Sequence, residues 1–251
     1  MSVAETRSPG PIGQIGLFLA RKGRRVWWLN VTAKRALTPR MTRVTFSGHD
    51  LNELEWKRGQ DLVLELPQAD GSIARRHYTI RDLDPAAKTL AIDFVLHGKS
   101  AVGDWLNRVQ TGDTINASGP RGHTYLRDAD WHLFAGDETC IPGIFAMLEG
   151  LPTGTQATAF IEIADDAERQ PITADVVWLS RGGEPPGPSH RLYDAVEAFQ
   201  FPAGRGHAYI IGETSNVRAI RQRLIARGMS KDQTSAEGYW RPGRIGGHDH
   251  A

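Results

Sequence analysis

The sequence contains a single cysteine, Cys140, which excludes an internal disulfide bond and favours a reducing compartment. It has no apolar run near the roughly 18 residues that a membrane span needs. The short apolar segment Gly16–Ala20 precedes a basic cluster, whereas a signal peptide places its basic residues first. The formal net charge is only +1, which predicts no general attraction to nucleic acid. We therefore expect a cytoplasmic protein that is monomeric by default, with no membrane span and no nucleic-acid partner.

Several common catalytic and nucleotide-binding signatures are also missing. The sequence has no GxGxxG and no Walker loop, which excludes the standard dinucleotide and mononucleotide fingerprints. It has no convincing catalytic triad, carboxylate pair or metal-ligand spacing. We interpret His248-Asp249-His250 as part of a C-terminal tail. These absences agree with chemistry that is carried by a bound cofactor.

The first half of the chain predicts a β domain. Residues 1–25 end in a basic run and are typical of a loosely ordered extension. From Val26 onwards, short apolar or alternating segments separated by turn residues predict strands, and together they favour a small antiparallel barrel over residues 26–125. The six predicted strands are Val26–Ala33, Met41–Ser47, Asp61–Leu66, Arg75–Ile80, Thr89–Val95 and Thr114–Gly119.

After about residue 125 the pattern alternates between strand and helix. Short and nearly continuous apolar runs, typical of strands covered on both faces, lie at His132–Ala135, Ala157–Ile163, Val176–Leu179 and Ala208–Ile211. Helical patterns fall between them at Ile141–Glu149, Leu192–Phe199 and Asn216–Arg227. This alternation predicts a parallel sheet with helices on both sides over residues 126–251, the last of which form a tail.

The fourth predicted strand carries a group of side chains that could bind a ligand: Arg76, Tyr78, Thr79 and Arg81. An aromatic ring can cover the face of a flat heterocycle, and a hydroxyl can bond to its edge. An arginine can hold a diphosphate through paired donors. The alternative interpretation is a barrel strand with an exposed tyrosine and two surface arginines. By itself the pattern indicates an aromatic and cationic ligand site.

The order of the two predicted domains resembles that of ferredoxin-reductase-like flavoproteins, in which a flavin-binding barrel precedes an NAD(P)H-binding α/β domain. More narrowly, the chain resembles the siderophore-interacting protein family of ferric-siderophore reductases. The resemblance extends from about residue 26 to the C-terminus and rests on several motifs at the family's spacing. They are Leu37–Gly48, Arg76–Arg81, Val95–Gly98, Gly112–Ile115, Gly119–Gly122, Gly136–Thr139, Ile211–Glu213 and Gly238–Gly243.

The resemblance implies an FAD site on the barrel. Tyr78 would stack on the isoalloxazine, Thr79 would contact its edge, and Arg76 would approach the flavin or its phosphates. His77 belongs to the same motif. A helix start whose N–H groups can hold phosphate follows the next strand; the residues assigned to it are His97, Gly98, Ser100, Ala101 and Val102. Here the chain departs from its relatives, because it reads Lys-Ser-Ala-Val-Gly-Asp before a tryptophan where they usually show a Gly-Pro-Ala-Ser-like stretch.

The α/β half supplies the other predicted contacts. Gly136-Asp137-Glu138-Thr139 follows an apolar strand and precedes a helix, the place where ligands bind in open α/β sheets. The resemblance implies that Asp137, Glu138 and Thr139 face the nicotinamide side of the flavin; a plain acidic helix cap is the alternative interpretation. Trp240, in the family's last motif, would contact the flavin edge or line a pocket for an anionic iron chelate; surface packing is the alternative interpretation. The cations expected to contact an anionic ferric siderophore are Arg241 first, then Arg244, Arg43 and Lys99.

The resemblance implies a ferric-siderophore reductase in which NADPH or NADH reduces FAD and single electrons pass to Fe(III), so that Fe(II) is released. Arg181 follows a predicted strand, and a cation there could contact a 2′-phosphate, which would favour NADPH. The alternative interpretation is an ordinary loop arginine. Ferredoxin as a further redox partner stays open. Two other functions also stay open: a flavin reductase or electron-transfer protein with another acceptor, and a non-enzymatic siderophore-binding module without bound flavin.

Overall fold

The computed structural model describes residues 25–96 and 100–243. The first half forms a seven-stranded sheet in which all neighbouring strands are antiparallel, in the order β4-β3-β7-β1-β2-β6-β5. The strands are β1 (Val26–Thr38), β2 (Met41–Ser47), β3 (Asp61–Pro67), β4 (Ile73–Thr79), β5 (Asp82–Asp84), β6 (Thr89–Val95) and β7 (Thr114–Arg121). Helix α1 (Ala101–Arg108) lies between β6 and β7, and a short 3-10 turn covers Leu51–Glu53.

The predicted antiparallel sheet is confirmed, but it has seven strands rather than six. The additional strand is β5, which is only three residues long and pairs with β6. A strand of three residues is too short to show an alternating pattern, so the sequence does not predict β5. The first strand is also longer than predicted and continues to Thr38.

The sheet curls because the chain passes directly from one of its edges to the other. Edge strand β4 is followed by Ile80, whose N–H donates to the Gln60 carbonyl beside β3 at 3.0 Å. The next residue, Arg81, donates its N–H to the Ala91 carbonyl of β6, also at 3.0 Å. The residues just after β4 therefore bring the two ends of the sheet together into a barrel-like shape.

The interior of this sheet is filled by alternating side chains. Val44 and Phe46 of β2 face Ile92 and Leu90 of β6 in register, and all four are fully buried. This is the pattern expected where one face of each strand is directed to the core. Helix α1 packs against this core through the buried Trp105, which fixes the helix on the sheet.

The second half forms a parallel five-stranded sheet in the order β10-β9-β8-β11-β12, which confirms the predicted α/β architecture. Its strands are β8 (Trp131–Asp137), β9 (Gln156–Ile163), β10 (Val176–Ser180), β11 (Gly206–Glu213) and β12 (Thr234–Trp240). Its helices are α2 (Ile141–Leu148), α3 (His190–Ala198) and α4 (Thr214–Ala226), with 3-10 turns at Glu138–Cys140, Asp166–Glu168 and Lys231–Gln233. The longest helix in the described part of the chain is α4, whose 13 residues are too few to cross a membrane.

Helix α4 is the clearest example of the predicted periodicity. Val217, Ile220 and Leu224 lie on one stripe and are buried against the sheet. The helix begins two residues earlier than predicted, and its cap is Glu213 rather than a hydroxyl residue, because the Glu213 carboxylate accepts the Asn216 N–H at 2.9 Å. A charged cap of this kind also suits the positive end of the helix dipole.

The two halves are joined by polar and apolar contacts. The Thr38 hydroxyl donates to the buried Glu168 carboxylate at 2.5 Å. Arg81 of the barrel forms a bidentate ion pair with Glu149, which follows α2. Met41 packs into the same core cluster as the residues of α2. The end of β4 is therefore held against α2, the first helix of the α/β half.

Candidate functional site

Tyr78 is supported by a row of aromatic rings that connects three elements. Its half-buried ring lies 4.4 Å, centroid to centroid, from the ring of Phe94 on β6. Phe94 in turn lies 5.5 Å from Trp105 of α1. Burial raises the pKa of the Tyr78 hydroxyl well above its usual value despite the nearby Arg76, so the phenol is neutral at physiological pH. The row connects the neutral ring of Tyr78 to α1 through Phe94.

The side chains before and after Tyr78 alternate across β4. The His77 ring nitrogen Nδ1 lies 2.5 Å from the Asp61 carboxylate on the neighbouring strand. Arg76 is half-buried, and its Nη1 donates to the carbonyl of Arg75 at 2.8 Å. Because side chains alternate along a strand, Arg76 and Tyr78 share one face of β4 while His77 shares the other with Thr79.

Thr79 lies at the contact between the two halves of the protein. It is buried, and a Cβ atom added to Gly143 of α2 would lie 3.4 Å from its methyl group. The Tyr239 hydroxyl of β12 forms a side-chain hydrogen bond with Thr79, while burial and the charge of Glu237 raise the pKa of Tyr239 well above its usual value. The predicted flavin strand therefore ends directly against the carboxyl ends of the parallel strands.

The first turn of α1 is the predicted phosphate site. Ser100 caps this helix, because its Oγ accepts the Gly103 N–H at 3.1 Å. The first N–H groups of a helix have no acceptor within the helix, and those of Ala101 and Val102 are of this kind. His97, Gly98 and Lys99, which precede the cap, lie outside the described residues.

Asp137 is the centre of a hydrogen-bond network at the carboxyl end of β8. Its Oδ1 accepts the N–H and hydroxyl of Thr139 at 2.9 and 2.5 Å. Its Oδ2 accepts the backbone N–H of Glu213 and the indole N–H of Trp240, both at 2.9 Å. One buried carboxylate therefore joins the ends of β8, β11 and β12, and both predicted ligand residues Thr139 and Trp240 are bound to it.

Two glycines allow the strand ends to approach Asp137 this closely. Gly212 has φ of +128°, and a Cβ atom there would lie 2.4 Å from Asp137 Oδ2. A Cβ atom on Gly136 would lie 2.8 Å from the Ile211 carbonyl and 2.9 Å from Cys140 Cβ. Cys140 is itself buried, and burial raises its thiol pKa well above the usual value, which agrees with a packing role.

Glu138 is paired with a buried arginine. The two carboxylate oxygens of Glu138 accept hydrogen bonds of 2.8 and 2.6 Å from Arg181, whose Nη1 also reaches Glu162 at 3.4 Å. Arg181 is only 3% exposed. The guanidinium of Arg181 is bound to two carboxylates in this structure, and its predicted contact with a 2′-phosphate stays a prediction.

The predicted substrate cations differ in their surroundings. Arg43 donates two hydrogen bonds, of 2.6 and 2.8 Å, to the buried carboxylate of Asp93 in the barrel, and this pair raises the pKa of Arg43 against the effect of burial. Arg241 is exposed and directly follows Trp240 at the end of β12. Arg244 lies outside the described residues, as does Lys99.

Two residues of this site lie in motifs that the sequence marked, but their contacts could not be predicted from it. Tyr239, in the motif Gly238–Gly243, is the residue that contacts Thr79. Glu213 contributes its backbone N–H to Asp137 and its carboxylate to the cap of α4. The signal for both was their position, because each lies at the carboxyl end of a parallel strand, where such a sheet places its ligand residues.

The donor set fits a flavin dinucleotide. A supported neutral ring, a guanidinium and the N-terminus of a helix are the groups that suit a flat heterocycle with a diphosphate. Asp61 adds a buried carboxylate oxygen, Oδ1, for which no hydrogen-bond partner is found among residues 25–96 and 100–243. An orphaned acceptor beside the end of β4 suits a ligand hydroxyl.

Comparisons with known proteins identify the family of this chain. Residues 129–243 match the siderophore-interacting protein family, and residues 62–124 match the siderophore-interacting FAD-binding domain. An uncharacterized protein from Mycobacterium tuberculosis is 34% identical over 88% of this chain and 92% of its own length. Ferric vibriobactin reductase from Vibrio cholerae is 29% identical over 86% of this chain and 89% of its own length.

A solved structure supports the same assignment. The crystal structure of a siderophore utilization protein from T. fusca is 33% identical and has a TM-score of 0.81, covering 88% of this chain and 95% of that one. The matched FAD-binding region contains both β4 and α1, the two elements whose side chains and N–H groups fit the cofactor. The chain is therefore a member of the siderophore-interacting protein family, with FAD as its cofactor.

Proposed function

We propose that this protein is a ferric-siderophore reductase that takes electrons from NADH or NADPH through its FAD. The observation that carries the proposal is the contact of Thr79, at the end of the flavin strand, with Tyr239 and Gly143 of the α/β half. This contact sets the flavin site against the crevice at the carboxyl ends of the parallel strands, where nucleotides bind in such sheets. A relative whose name is ferric vibriobactin reductase supports the same acceptor class.

Arg76, Tyr78, Thr79 and the first turn of α1 would hold the cofactor. FAD, when bound, accepts a hydride and returns electrons singly, which connects a two-electron donor with a one-electron ferric acceptor. Tyr78 supplies a neutral face, Thr79 a hydroxyl at the edge, and Arg76 a positive charge. The N–H groups that follow Ser100 would hold the diphosphate.

In the crevice, Asp137 acts as a positioning residue. Its oxygens are occupied by donors of this chain, so it holds the Trp240 indole and the 3-10 turn that begins at Glu138 in fixed places. Fixed groups of this kind orient the nicotinamide donor against the flavin without moving a proton themselves. No general acid is needed, because the reaction transfers hydride and electrons.

The acceptor is expected to approach from the surface beside β12. Ferric siderophores hold Fe(III) through hard oxygen donors and are commonly anionic, and reduction to Fe(II) weakens this binding. Arg241 is exposed at this edge and is our first substrate contact. Lys99 and Arg244 are proposed as further substrate contacts, whereas Arg43 is held by Asp93 and is the weakest of the four proposals.

We further propose that the protein works in the cytoplasm as a monomer, where NAD(P)H is available. The single cysteine, which is buried, supports a reducing compartment. Reduced ferredoxin is a second donor to be tested beside the nicotinamide nucleotides.

The test uses the full chain loaded with FAD under anaerobic conditions. NADH, NADPH or reduced ferredoxin is added first, and bleaching of the flavin absorbance is followed. A ferric catecholate or hydroxamate siderophore is then added, with the iron-free siderophore as control, and Fe(II) is trapped with ferrozine. We expect two Fe(II) per flavin and full recovery of the oxidised spectrum.

Two results would overturn the proposal. If the reduced protein is reoxidised only by a protein acceptor, it is an electron-transfer reductase of another pathway. If the purified protein binds no FAD and still binds the ferric siderophore, it is a binding module and not an enzyme.

A further inference from the structure

A nucleotide bound at the carboxyl edge of the parallel sheet can extend its adenosine towards either side of the crevice. The sheet order changes direction between β8 and β11, so the crevice lies at the ends of these strands. The flavin side is marked by Tyr239 of β12, which contacts Thr79. A nucleotide whose nicotinamide faces the flavin therefore extends its adenosine in the other direction, across β9 and β10.

On that side of the crevice, Glu138, Arg181 and Glu162 form an ion cluster. Each residue lies at the carboxyl end of a different strand, β8, β10 and β9 respectively. Glu162 is buried, and its second oxygen accepts the Ser189 hydroxyl at 2.5 Å. Ser189 caps α3, so the segment from Arg181 to Ser189 is attached to Glu162 at both of its ends.

The donors of Arg181 are almost fully used within this cluster. Nη1 donates to both glutamates, Nη2 donates to Glu138, and Nε donates to the Glu184 carbonyl at 3.3 Å. Four of the five N–H donors of a guanidinium are thus occupied. The other arginine of this segment, Arg191, forms a 2.7 Å ion pair with Glu184.

The charges of this region consequently do not favour a phosphate. The three glutamates outnumber the two arginines, so the formal charge of the region is negative. Glu138 is the more accessible of the two carboxylates that bind Arg181, since its side chain is 13% exposed while that of Glu162 is 4% exposed. A carboxylate can accept a hydrogen bond from a ribose 2′-hydroxyl, and its charge repels a 2′-phosphate.

We propose that the cluster of Glu138, Arg181 and Glu162 makes this protein prefer NADH over NADPH. The inference rests on the proposed function, because it requires a nicotinamide nucleotide as the donor. Glu138 accepts the 2′-hydroxyl of NADH, and Arg181, which could otherwise bind a 2′-phosphate, is held in place by the two carboxylates. The preference is about tenfold or more in kcat/KM, the size of one charge-assisted hydrogen bond.

The first test measures kcat/KM for flavin reduction with each nucleotide. Wild type is expected to favour NADH, and Glu138→Gln is expected to shift the ratio towards NADPH by about tenfold, because it removes a negative charge and frees donors of Arg181. Glu197→Gln is the matched control. Glu197 also forms a bidentate pair, with Arg223, but both residues lie near the ends of α3 and α4, away from the crevice.

The second test uses binding to wild type alone, so it does not depend on the folding of a variant. Isothermal titration calorimetry compares 5′-AMP with adenosine 2′,5′-bisphosphate. We expect the added 2′-phosphate to weaken binding. Tighter binding of the bisphosphate, or a higher kcat/KM with NADPH in wild type, would overturn the inference while leaving the proposed function intact. If neither nucleotide bleaches the flavin, both the inference and the nicotinamide part of the proposed function fail.

Discussion

The indole N–H of Trp240 donates a 2.9 Å hydrogen bond to Asp137, a carboxylate that lies 103 residues earlier in the chain. The same oxygen accepts the Glu213 N–H, while the other oxygen accepts Thr139. The aromatic residue of the last strand is therefore positioned by the first strand of the parallel sheet. We infer that the geometry around the flavin edge depends on this carboxylate.

Replacing Asp137 with asparagine tests how much the protein depends on this carboxylate. The side-chain amide has one acceptor oxygen instead of two, so a donor from Thr139, or from Glu213 and Trp240, loses its partner. An unsatisfied buried donor costs about 1–3 kcal/mol, and we expect the free energy of unfolding at pH 7 to fall by this amount. Urea unfolding followed by Trp fluorescence measures the change. Asp194→Asn, at an exposed position on α3, serves as control, and an equal loss in both variants would refute the role of Asp137.

The titration of Asp137 should also make the free energy of unfolding depend on pH. Burial, reinforced by the charge of Glu138, raises the pKa of Asp137 from 3.8 to about 6. The folded protein thus holds a proton that the unfolded chain releases at lower pH. Protonation of Asp137 therefore adds roughly 2–3 kcal/mol to the free energy of unfolding below about pH 4. This contribution is lost as the pH rises through about 6.

The pH effect is measured as a difference between wild type and Asp137→Asn, so that other titrating groups cancel. Wild type should lose more stability than the variant between about pH 4.5 and 7.5. A difference that does not vary with pH would contradict the assigned pKa shift.

The parts of the fold that the sequence revealed are those with local patterns. β2 and β6 have the predicted bounds, because seven residues are enough to show a repeating pattern of apolar residues in the sequence. β5 has three residues and shows no period. The start of α4 was predicted too late because its cap is a glutamate, whereas hydroxyl and asparagine or aspartate caps are the usual signal.

The positions of the candidate site residues in the fold were easier to predict than their contacts. Asp137, Glu138 and Thr139 were placed correctly at the end of a strand, since a turn after an apolar run is a local feature. Their partners were not predictable in this way. Arg181 lies 43 residues after Glu138, and the two meet only because the sheet places β8, β9 and β10 side by side.

Gly212 should be intolerant of any side chain. Its φ of +128° is rarely adopted by other residues, and an added Cβ would overlap Asp137 Oδ2 at 2.4 Å. We expect Gly212→Ala to lower the free energy of unfolding by about 3 kcal/mol, at the upper end of ordinary substitutions. Gly228→Ala is the matched control, because φ there is +105° with no atom within 4 Å of the added Cβ. Its cost should be only about 1 kcal/mol; similar losses in the two variants would show that strain alone, not contact with Asp137, makes Gly212 necessary.

The ion pair between Arg81 and Glu149 should influence electron delivery more than cofactor binding. It joins the end of the flavin strand to the helix of the α/β half, and Arg81 is buried. Glu149→Gln weakens this link, so the nucleotide crevice is held less firmly against the flavin. Small misplacements of reacting groups lower rates by up to about a hundredfold. We expect slower flavin reduction in stopped-flow experiments, with the Kd for FAD unchanged; a weaker Kd with an unchanged rate would place the effect in the barrel instead.

Tyr78 should be required for FAD binding through its ring and not through its hydroxyl. The ring is held by Phe94 at 4.4 Å, and its high pKa keeps the hydroxyl neutral, so the charge of the phenol plays no part. Tyr78→Ala removes the stacking face, and we expect the Kd for FAD, measured by quenching of flavin fluorescence, to rise at least about tenfold, the scale of an aromatic stacking contact. Tyr78→Phe keeps the ring and its contact with Phe94, so its Kd should stay close to that of wild type. A large loss of affinity in Tyr78→Phe would show instead that the hydroxyl binds the cofactor, and equal affinity in all three proteins would remove Tyr78 from the flavin site.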